Sequence, residues 1–363
     1  MPAPSARRFS VNPPKKVSLL YLCSLDLQRN PAMINVLAFA VMPLNPALNV
    51  PYPQPQAYCM NTLRNIVFLI SFLAAAAFCQ PVSELKVLAI GNSFSRNAFL
   101  YLQDIIDAHG KAKATLGNAT IGGCSLERHW NEHLKSQQNP EHKPYSYKGK
   151  KIALQDFLAA EKWDVVTLQQ NSANSFKPET FQPWADHLAA LIRQHAPQAK
   201  IHIHRTWAYR PDHRLFRPGS KITPEDMHKQ SGEAYRQLAE HLQAPLIPAG
   251  DAMWLAYHTQ AVKPVLHDPD FDYKNPTYPQ LPKEDGALHV GYTWRKNAKT
   301  GARELKLDGI HANKRGCYLL GCVWYAFLFQ QDLADLKYAP AEITPEDAQF
   351  LRDVAQKTVQ ANR

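Results

Sequence analysis

The sequence predicts a three-layer α/β/α domain built on a mostly parallel five-stranded sheet. Short apolar runs rich in β-branched residues alternate with segments of helical periodicity along most of the chain. The chain has 363 residues, of which 45% are hydrophobic, which is enough for a single large core. This alternation is typical of a parallel sheet whose helices cover both faces.

Five runs are predicted to be the strands of this sheet, and helices are expected between them. The strands are LKVLAIG at 85–91, ATLGNATIGG at 114–123, WDVVTLQQ at 163–170, AKIHIHRTW at 199–207 and APLIPAG at 244–250. The helices are expected over about 97–109, 152–161, 181–196 and 226–242.

The pattern changes after Asp251. An irregular segment runs from His258 to about residue 288, which is too long for an ordinary connection and is typical of lids and substrate walls. A hairpin is predicted over 289–309, so the irregular insertion covers about 258–305. A helix at 314–330 is apolar on nearly every face and is expected to be buried, and an amphipathic helix from Pro345 to about 360 closes the chain.

Residues 60–79 have the pattern of a secretory signal peptide. Arg64 precedes an apolar run at 66–78, and this run of about 13 residues is shorter than the ~20 that a membrane span needs. The mature chain, residues 80–363, is then expected to be periplasmic or secreted. A lipid anchor on Cys79 is the less favoured alternative, because bulky Phe78 precedes it.

Residues 1–59 are rich in proline and have no sustained periodicity. They are interpreted as a non-native or disordered extension, with Met60 as the true start. The alternative is a genuine N-terminal extension followed by an internal membrane segment.

Charge and cysteine content limit the function classes. Residues 80–363 contain 35 Lys or Arg and 30 Asp or Glu, a surplus of only +5 with no basic stripe, so nucleic-acid binding has little support. The three cysteines of this region, Cys124, Cys317 and Cys322, are an odd number, which does not make a disulfide framework. They are expected to be small buried hydrophobic residues.

Ser93 follows the first predicted strand, in the stretch KVLAIGNSFSRNAFLYL. A turn between a strand and a helix lies at the carboxyl edge of an α/β sheet, where such proteins bind ligands. Ser93 is therefore either a helix cap or a reacting group.

Asp308 and His311 stand three residues apart in LDGIHANKRG. That spacing allows a carboxylate to orient an imidazole whose other nitrogen faces outward. Alone, such a pair is more often part of a surface loop. With Ser93 it supplies the three groups of a hydrolytic triad, in which the imidazole takes the serine proton and the carboxylate stabilises the imidazolium.

Attack on an ester also requires donors for the developing oxyanion. TIGGCS offers the backbone N–H groups of Gly122 and Gly123, and TLQQNS offers the side-chain amide of Asn171. Both stretches follow strands that neighbour the first strand in a doubly wound sheet. The two glycines are otherwise only a turn.

The four blocks GNSFS, TIGGCS, TLQQNS and LDGIHANKRG resemble the SGNH (GDSL-like) serine hydrolase superfamily, and more closely a bacterial branch catalogued as a domain of unknown function. The resemblance covers most of residues 85–330. It implies a flavodoxin-like sheet, no metal or other cofactor, and hydrolysis of esters, often O-acetyl groups on carbohydrates. It also implies the nucleophile at Ser93, the Asp-x-x-His pair at Asp308 and His311, and an oxyanion hole formed by the Ser93 and Gly123 N–H groups with Asn171.

Two blocks depart from the commoner pattern of the superfamily. The first reads Gly-Asn-Ser where Gly-Asp-Ser is usual. The third reads QQNS where a Gly-x-Asn-Asp pattern is usual, so Gln169 and Ser172 replace residues that shape the oxyanion hole. Gln170 is the alternative donor to Asn171.

Arg205, Trp207 and Tyr209 follow the fourth strand at the same edge and, with Gln170, are predicted to contact substrate; simple packing is the alternative. Glu127, His129 and Trp130 either line the pocket or begin the next helix. His202 and His204 have a metal-ligand spacing, but no compact partner set accompanies them, so no metal site is predicted.

The sequence therefore predicts an exported serine esterase, a carbohydrate O-acetylesterase that works through an acyl-enzyme. Its partner is a small-molecule or glycan ester, with no nucleic acid and no stable membrane span after removal of the signal peptide. The alternatives are a non-catalytic carbohydrate- or ligand-binding module on the same fold and, less favoured, a flavodoxin-like module in which GNSFS binds phosphate.

Overall fold

The computed structural model of the protein describes residues 83–362. The predicted extension at 1–59 and the predicted signal peptide at 60–79 lie outside the described residues.

Nine strands are present in this part of the chain. They are β1 (Glu84–Gly91), β2 (Lys113–Thr120), β3 (Tyr145–Tyr147), β4 (Lys150–Ile152), β5 (Val165–Leu168), β6 (Lys200–His204), β7 (Leu246–Ile247), β8 (His289–Lys296) and β9 (Arg303–Ala312). The main sheet has five parallel strands in the order β2-β1-β5-β6-β7. This is the flavodoxin order, so the predicted fold class is confirmed.

Nine α-helices accompany the strands in residues 83–362. They are α1 (Ser93–Phe99), α2 (Leu102–His109), α3 (Leu126–Gln138), α4 (Leu154–Ala159), α5 (Trp184–His195), α6 (Pro224–Leu242), α7 (Ala249–Thr259), α8 (Lys314–Phe329) and α9 (Pro345–Ala361). Short 3₁₀ turns occur at Pro178–Thr180 and Arg214–Phe216.

Successive side chains of β1 enter two separate hydrophobic cores, one on each face of the sheet. Val87 and Ala89 pack with α1, α2, α7, α8 and α9. Leu88 and Ile90 pack with α3, α4, α5 and α6. Since adjacent residues of a strand point to opposite faces, this division makes the three layers.

Helix α8 is buried on nearly every side, as predicted from its continuous apolar sequence. It contacts α1, α2, α7 and α9. The antiparallel hairpin β8–β9 leads directly into it, so the start of α8 and the end of β9 are held against the sheet together. Cys124, Cys317 and Cys322 are all buried free thiols, in agreement with the prediction.

The structure corrects two predicted elements near the sheet. The helix expected over 97–109 is two helices, α1 and α2. The first of them begins earlier than predicted, because Asn92 caps α1 by accepting from the Phe94 N–H at 3.0 Å. The strand expected over 244–250 is only two residues long, and Ala249 and Gly250 already belong to α7. The predicted irregular segment is therefore shorter at its beginning, and residues 260–288 lack helices and strands.

Within residues 83–362, no helix is both long enough and apolar enough to cross a membrane.

Candidate active site

Ser93 is the first residue of α1, immediately after β1. It lies where β1 meets β5. The chain adds β2 on one side of β1 and all later strands of the main sheet on the other side, and this switch point is the usual ligand site of an open α/β sheet. The first N–H groups of a helix have no acceptor within the helix. Both the hydroxyl and the N–H of Ser93 therefore stand at a favourable place for binding.

His311 and Asp308, both in β9, complete a hydrogen-bonded series with this serine. The Nε2 atom of His311 lies 2.8 Å from Ser93 Oγ. On the other side of the ring, His311 Nδ1 lies 2.9 Å from Asp308 Oδ2. A carboxylate only accepts, so Nδ1 carries the proton and Nε2 is the acceptor for the serine hydroxyl. The structure thus brings together the three residues predicted as a triad.

The carboxylate of Asp308 is held in its charged form. Burial alone would raise its pKa, but hydrogen bonds from the His311 ring and backbone outweigh that effect and hold the pKa of Asp308 well below its ordinary value. The guanidinium of Arg295 also donates to Oδ2 at 2.6 Å, from a side chain that is 57% exposed. Arg295 was not predicted from the sequence, because it lies 13 residues before Asp308 and meets it only across the β8–β9 hairpin.

The side chain of Asn97 connects β9, which carries His311, to α1, which carries Ser93. From one turn further along α1, its side chain accepts from the Ala312 N–H at 3.3 Å and donates to the Ala312 carbonyl at 3.4 Å. Ala312 follows His311 directly, so this pair of bonds sets the position of the imidazole relative to Ser93. Like Arg295, Asn97 is a neighbour of the candidate active site that was not predicted from the sequence.

The turn after β2 presents the predicted glycine N–H group. The N–H of Cys124 donates to the Ile121 carbonyl at 3.1 Å, and Gly123 has a φ of +62°. A positive φ at the third residue of such a turn favours glycine. Among the described residues, no acceptor is bonded to the Gly123 N–H, and Gly123 is exposed.

Asn171 lies beside this turn. Its Nδ2 donates to the Gly123 carbonyl at 3.2 Å, and its Oδ1 accepts from the Asn174 N–H at 3.0 Å. An amide nitrogen has two hydrogens, so one donor of Asn171 is not used by the Gly123 contact.

The side chain of Asn92 joins three strand ends. Its Oδ1 accepts from the Phe94 N–H at 3.0 Å and from Gln169 Nε2 at 2.8 Å, and its Nδ2 donates to the Cys124 carbonyl at 3.0 Å. An aspartate here would have no donor for Cys124. The two departures from the commoner sequence pattern, Asn92 and Gln169, are therefore one hydrogen-bonded unit.

Two buried histidines extend this unit. His204 Nδ1 donates to Gln169 Oε1 at 2.8 Å, and His129 Nε2 donates to the Gly91 carbonyl at 2.9 Å. Burial lowers the pKa of His204 to about 3 and that of His129 to about 4, so both rings are neutral. A Cβ on Gly91 would lie only 2.8 Å from Gln169 Oε1, so a glycine is required there. Of the residues left open in GGCSLERHW, His129 thus supports the end of β1.

Gln170 and Arg205 have protein partners for their polar groups. Gln170 Oε1 accepts from the Leu126 and Asn171 N–H groups, and its Nε2 donates to the Thr180 carbonyl at 2.9 Å. Arg205 is buried, pairs with Asp251 and donates to the His228 carbonyl. This placement favours a supporting role for both over the predicted substrate contact.

Trp207 and Tyr209 are nearly fully buried. The ring of Trp207 stacks on Phe94 at a centroid distance of 4.0 Å, and its Nε1 donates to the Ile310 carbonyl at 3.0 Å. Tyr209 donates its hydroxyl to Ser172 Oγ at 2.9 Å. Trp207 thus packs against the neighbours of both Ser93 and His311, and its contact with substrate stays a prediction.

Across residues 83–362, no group of three or more His, Cys, Asp or Glu side chains is arranged to hold a metal ion. The His202 ring packs edge-on against Phe327, and the His204 ring packs against Trp324.

Comparison with known proteins found a family model that is similar to part of the chain. Residues 86–258 match the family model "Domain of unknown function (DUF4886)". This match confirms the predicted resemblance to a branch catalogued in that way. No curated protein is a match to the chain.

Several solved structures are similar to the chain. A DUF4886 family protein from Bacteroides uniformis is 25% identical, with a TM-score of 0.57 over 77% of this chain and 95% of that one. A protein from Slackia heliotrinireducens proposed to be an SGNH hydrolase is 20% identical, with a TM-score of 0.41 over 68% and 100% of the two chains. A lipase/acylhydrolase from Enterococcus faecalis is 15% identical, with a TM-score of 0.38 over 68% and 96%.

The substitution Asn92→Asp tests the amide that joins the strand ends. It replaces a donor with an oxygen facing the Cys124 carbonyl, and it buries a charge. We expect the free energy of unfolding, measured with urea, to fall by about 1–3 kcal/mol. The control is Asn139→Asp, because Asn139 is exposed and only accepts, from the Glu141 N–H, with its side-chain oxygen. Equal stability of N92D and the unaltered protein would contradict this assignment.

The buried neutral histidines predict acid sensitivity of the fold. The pKa of His204 is about 3 in the folded chain against an ordinary 6.5, so between these values the unfolded chain binds a proton that the folded chain does not. The unfolding free energy therefore falls as pH falls below about 6.5, by up to ~1.4 kcal/mol per pH unit for each such histidine. Urea unfolding between pH 7.5 and 5 measures this slope.

His204→Asn removes one titrating ring and keeps a donor for Gln169. We expect its stability to depend less steeply on pH, by about one proton. The matched control is His241→Asn, at an exposed position. If H204N has the slope of the unaltered protein, the neutral buried state of His204 is wrong.

Proposed function

We propose that this DUF4886-domain chain is an exported serine esterase that removes acyl groups, in particular O-acetyl groups, from carbohydrates. One observation carries the proposal: Ser93 Oγ, His311 and Asp308 form a continuous hydrogen-bonded series with distances of 2.8 and 2.9 Å. The series lies at the carboxyl edge of the sheet, with an exposed glycine turn beside it.

In the first half of the reaction, Ser93 Oγ attacks the carbonyl carbon of the ester. His311 Nε2 takes the hydroxyl proton as the new C–O bond forms, and Asp308 stabilises the resulting imidazolium through Nδ1. The tetrahedral intermediate then collapses. His311 gives the proton to the leaving alcohol, and an acyl group remains on Ser93.

In the second half, water replaces the alcohol. His311 Nε2 removes one proton from that water, the hydroxide oxygen attacks the acyl carbonyl, and the proton returns to Ser93 Oγ as the acid leaves. No group outside the chain is needed for the balance of atoms and charge.

The oxyanion is assigned to donors on three neighbouring strand ends. These are the N–H of Ser93 at the start of α1, the N–H of Gly123 in its left-handed conformation, and the free hydrogen of the Asn171 amide. Donors that are fixed before reaction do not have to reorganise as charge develops, and removing one typically costs ~10²–10³ in rate. Asn92 holds the first two at a constant spacing, because it bonds to both turns.

The openness of the site supports a large alcohol as leaving group. His311 retains 35% of its side-chain exposure, and Gly122 and Gly123 are exposed. An ester at the surface of a polysaccharide reaches such a serine without entering a deep tunnel.

Export is proposed from the sequence at 60–79, in which Arg64 precedes a short apolar run.

Ser93→Ala tests the nucleophile. We expect hydrolysis of 4-nitrophenyl acetate to fall by ~10⁴-fold or more, because no other group replaces the hydroxyl, and Asp308→Asn to reduce it by about 10³–10⁴-fold. A fluorophosphonate should label the unaltered protein at Ser93, as located by peptide mass spectrometry. The matched control is Ser95→Ala, on the same helix, whose hydroxyl bonds to Asn118 and the Asn92 carbonyl instead.

Unchanged turnover in S93A, with unchanged thermal unfolding, would refute the esterase assignment. Absence of fluorophosphonate labelling together with glycan binding would favour a non-catalytic binding module. The acyl group and the alcohol of the preferred substrate are then identified in a screen. The protein is incubated with acetylated glycans and with lipid esters, and the released acid is measured by mass spectrometry. Acid released only from lipid esters would refute the carbohydrate part of the proposal.

The mature N-terminus tests export. Mass spectrometry of the protein isolated from the producing cell and its medium should find a chain that begins near Gln80. A cytoplasmic protein that retains residues 60–79 would contradict the signal peptide.

A further inference from the structure

A cavity of about 340 Å³ lies beyond the carboxyl ends of β6 and β7. Its size is within the range of small-molecule sites, which are typically ~300–1,000 Å³. Neither Ser93 nor the other two members of the series contributes to its lining. The mechanism proposed above does not use it.

The walls of this cavity are mainly apolar and aromatic. Several come from the segment after β6 and from the buried side of α7, and these include Trp207, Tyr209, Met253, Trp254 and Tyr257. Aromatic rings and a methionine adapt to an apolar molecule and give much contact area. The occupant is therefore mainly apolar.

Charge is sparse around this space. The only lining residue with a formal charge, among the described residues, is Glu225, and it pairs with Lys229 at 2.8 Å on the exposed surface of α6. Among the described residues, no Lys or Arg side chain lines the cavity to meet an anion. Burying an unpaired charge is costly, so the occupant is neutral.

The imidazole of His289 is a polar group in the lining with one nitrogen that no described residue contacts by a hydrogen bond. His289 is 7% exposed, and its Nε2 lies 3.0 Å from the Ala208 carbonyl, which can only accept. Nε2 therefore carries the proton and Nδ1 is an acceptor, and within residues 83–362 it has no hydrogen-bond partner. Burial lowers the pKa of His289 to about 4, so the ring is neutral near pH 7.

We propose that the cavity binds a neutral, mainly apolar small molecule that donates one hydrogen bond to His289 Nδ1, at a site distinct from Ser93. No described residue donates to this acceptor, so a ligand N–H or O–H can bond to it in place of water.

The cavity nevertheless shares a residue with the candidate active site. Trp207 lines the cavity, stacks on Phe94 next to Ser93, and donates to the carbonyl of Ile310 next to His311. A ligand in the cavity would thus contact a ring that packs against both neighbours of the reacting pair. The two sites are adjacent but have different lining.

Binding is tested with two fluorescent probes, N-phenyl-1-naphthylamine, which is neutral and has one N–H, and its N-methyl derivative, which has none. His289→Phe replaces the imidazole with a ring that has no nitrogen, so it removes the Nδ1 acceptor together with the Nε2–H that donates to the Ala208 carbonyl. We expect it to weaken binding of the N–H probe by about five- to tenfold and to leave the N-methyl probe unchanged. An equal effect on both probes would overturn the hydrogen bond to His289.

Met253→Trp fills the cavity and should weaken both probes by about tenfold or more. The control Leu134→Trp adds the same ring to α3, where Leu134 is 41% exposed and outside the cavity. It should leave both affinities unchanged. If M253W binds as the unaltered protein does, or if L134W weakens binding equally, the cavity is not the site.

Protein labelled at Ser93 with a small fluorophosphonate tests the separation of the two sites. We expect it to bind both probes as tightly as the unlabelled protein. Loss of binding on labelling would overturn a distinct site and make the cavity part of the Ser93 pocket.

Discussion

The side-chain amide of Asn92 holds together the strand ends around the candidate active site. Because its oxygen accepts from the Phe94 N–H and from Gln169, while its nitrogen donates to the Cys124 carbonyl, one buried group connects the ends of β1, β5 and β2. These are adjacent strands in the sheet. A side chain with both donor and acceptor is needed, and an amide satisfies all three contacts without burying a charge.

The position of His311 depends on a second constraint, which acts from the other end of the chain. The hairpin β8–β9 is not part of the main sheet, so the sheet alone does not place it. Asn97 bonds to both backbone groups of Ala312, Trp207 donates to the Ile310 carbonyl, and the buried helix α8 follows directly. Contacts on both sides of His311 thus limit its movement. The serine and the histidine, 218 residues apart in sequence, meet because both are attached to the same helix α1.

Much of this arrangement was predictable from the sequence, for definite reasons. Parallel strands alternate with helices, so the number of strands and the sheet edge that carries Ser93, Gly123 and Asn171 follow from the periodicity of the sequence. Asp308 and His311 are three residues apart, so their pairing is visible in the local sequence. Arg295, Asn97 and the partnership of Gln169 with Asn92 were not predictable, because each is a contact between segments distant in sequence. The buried state of Arg205 and Gln170 also depends on tertiary partners, Asp251 and Thr180 among them. Helix α7 was not predicted, and its first two residues were assigned to a strand, because an apolar run of this length is equally compatible with strand and helix.

The strand order accounts for the positions of the candidate active site and of the cavity along the carboxyl edge of the sheet. The sheet reverses direction of winding between β1 and β5, and this opens the crevice in which Ser93 and the two turns face one another. Further along the edge, beyond β6 and β7, no such reversal occurs, and the segments after these strands instead enclose a cavity under α7. Trp207 stands between the two regions, with one set of contacts to Phe94 and Ile310 and another to the cavity. This indole is only 1% exposed, so one buried side chain forms part of the wall of both regions.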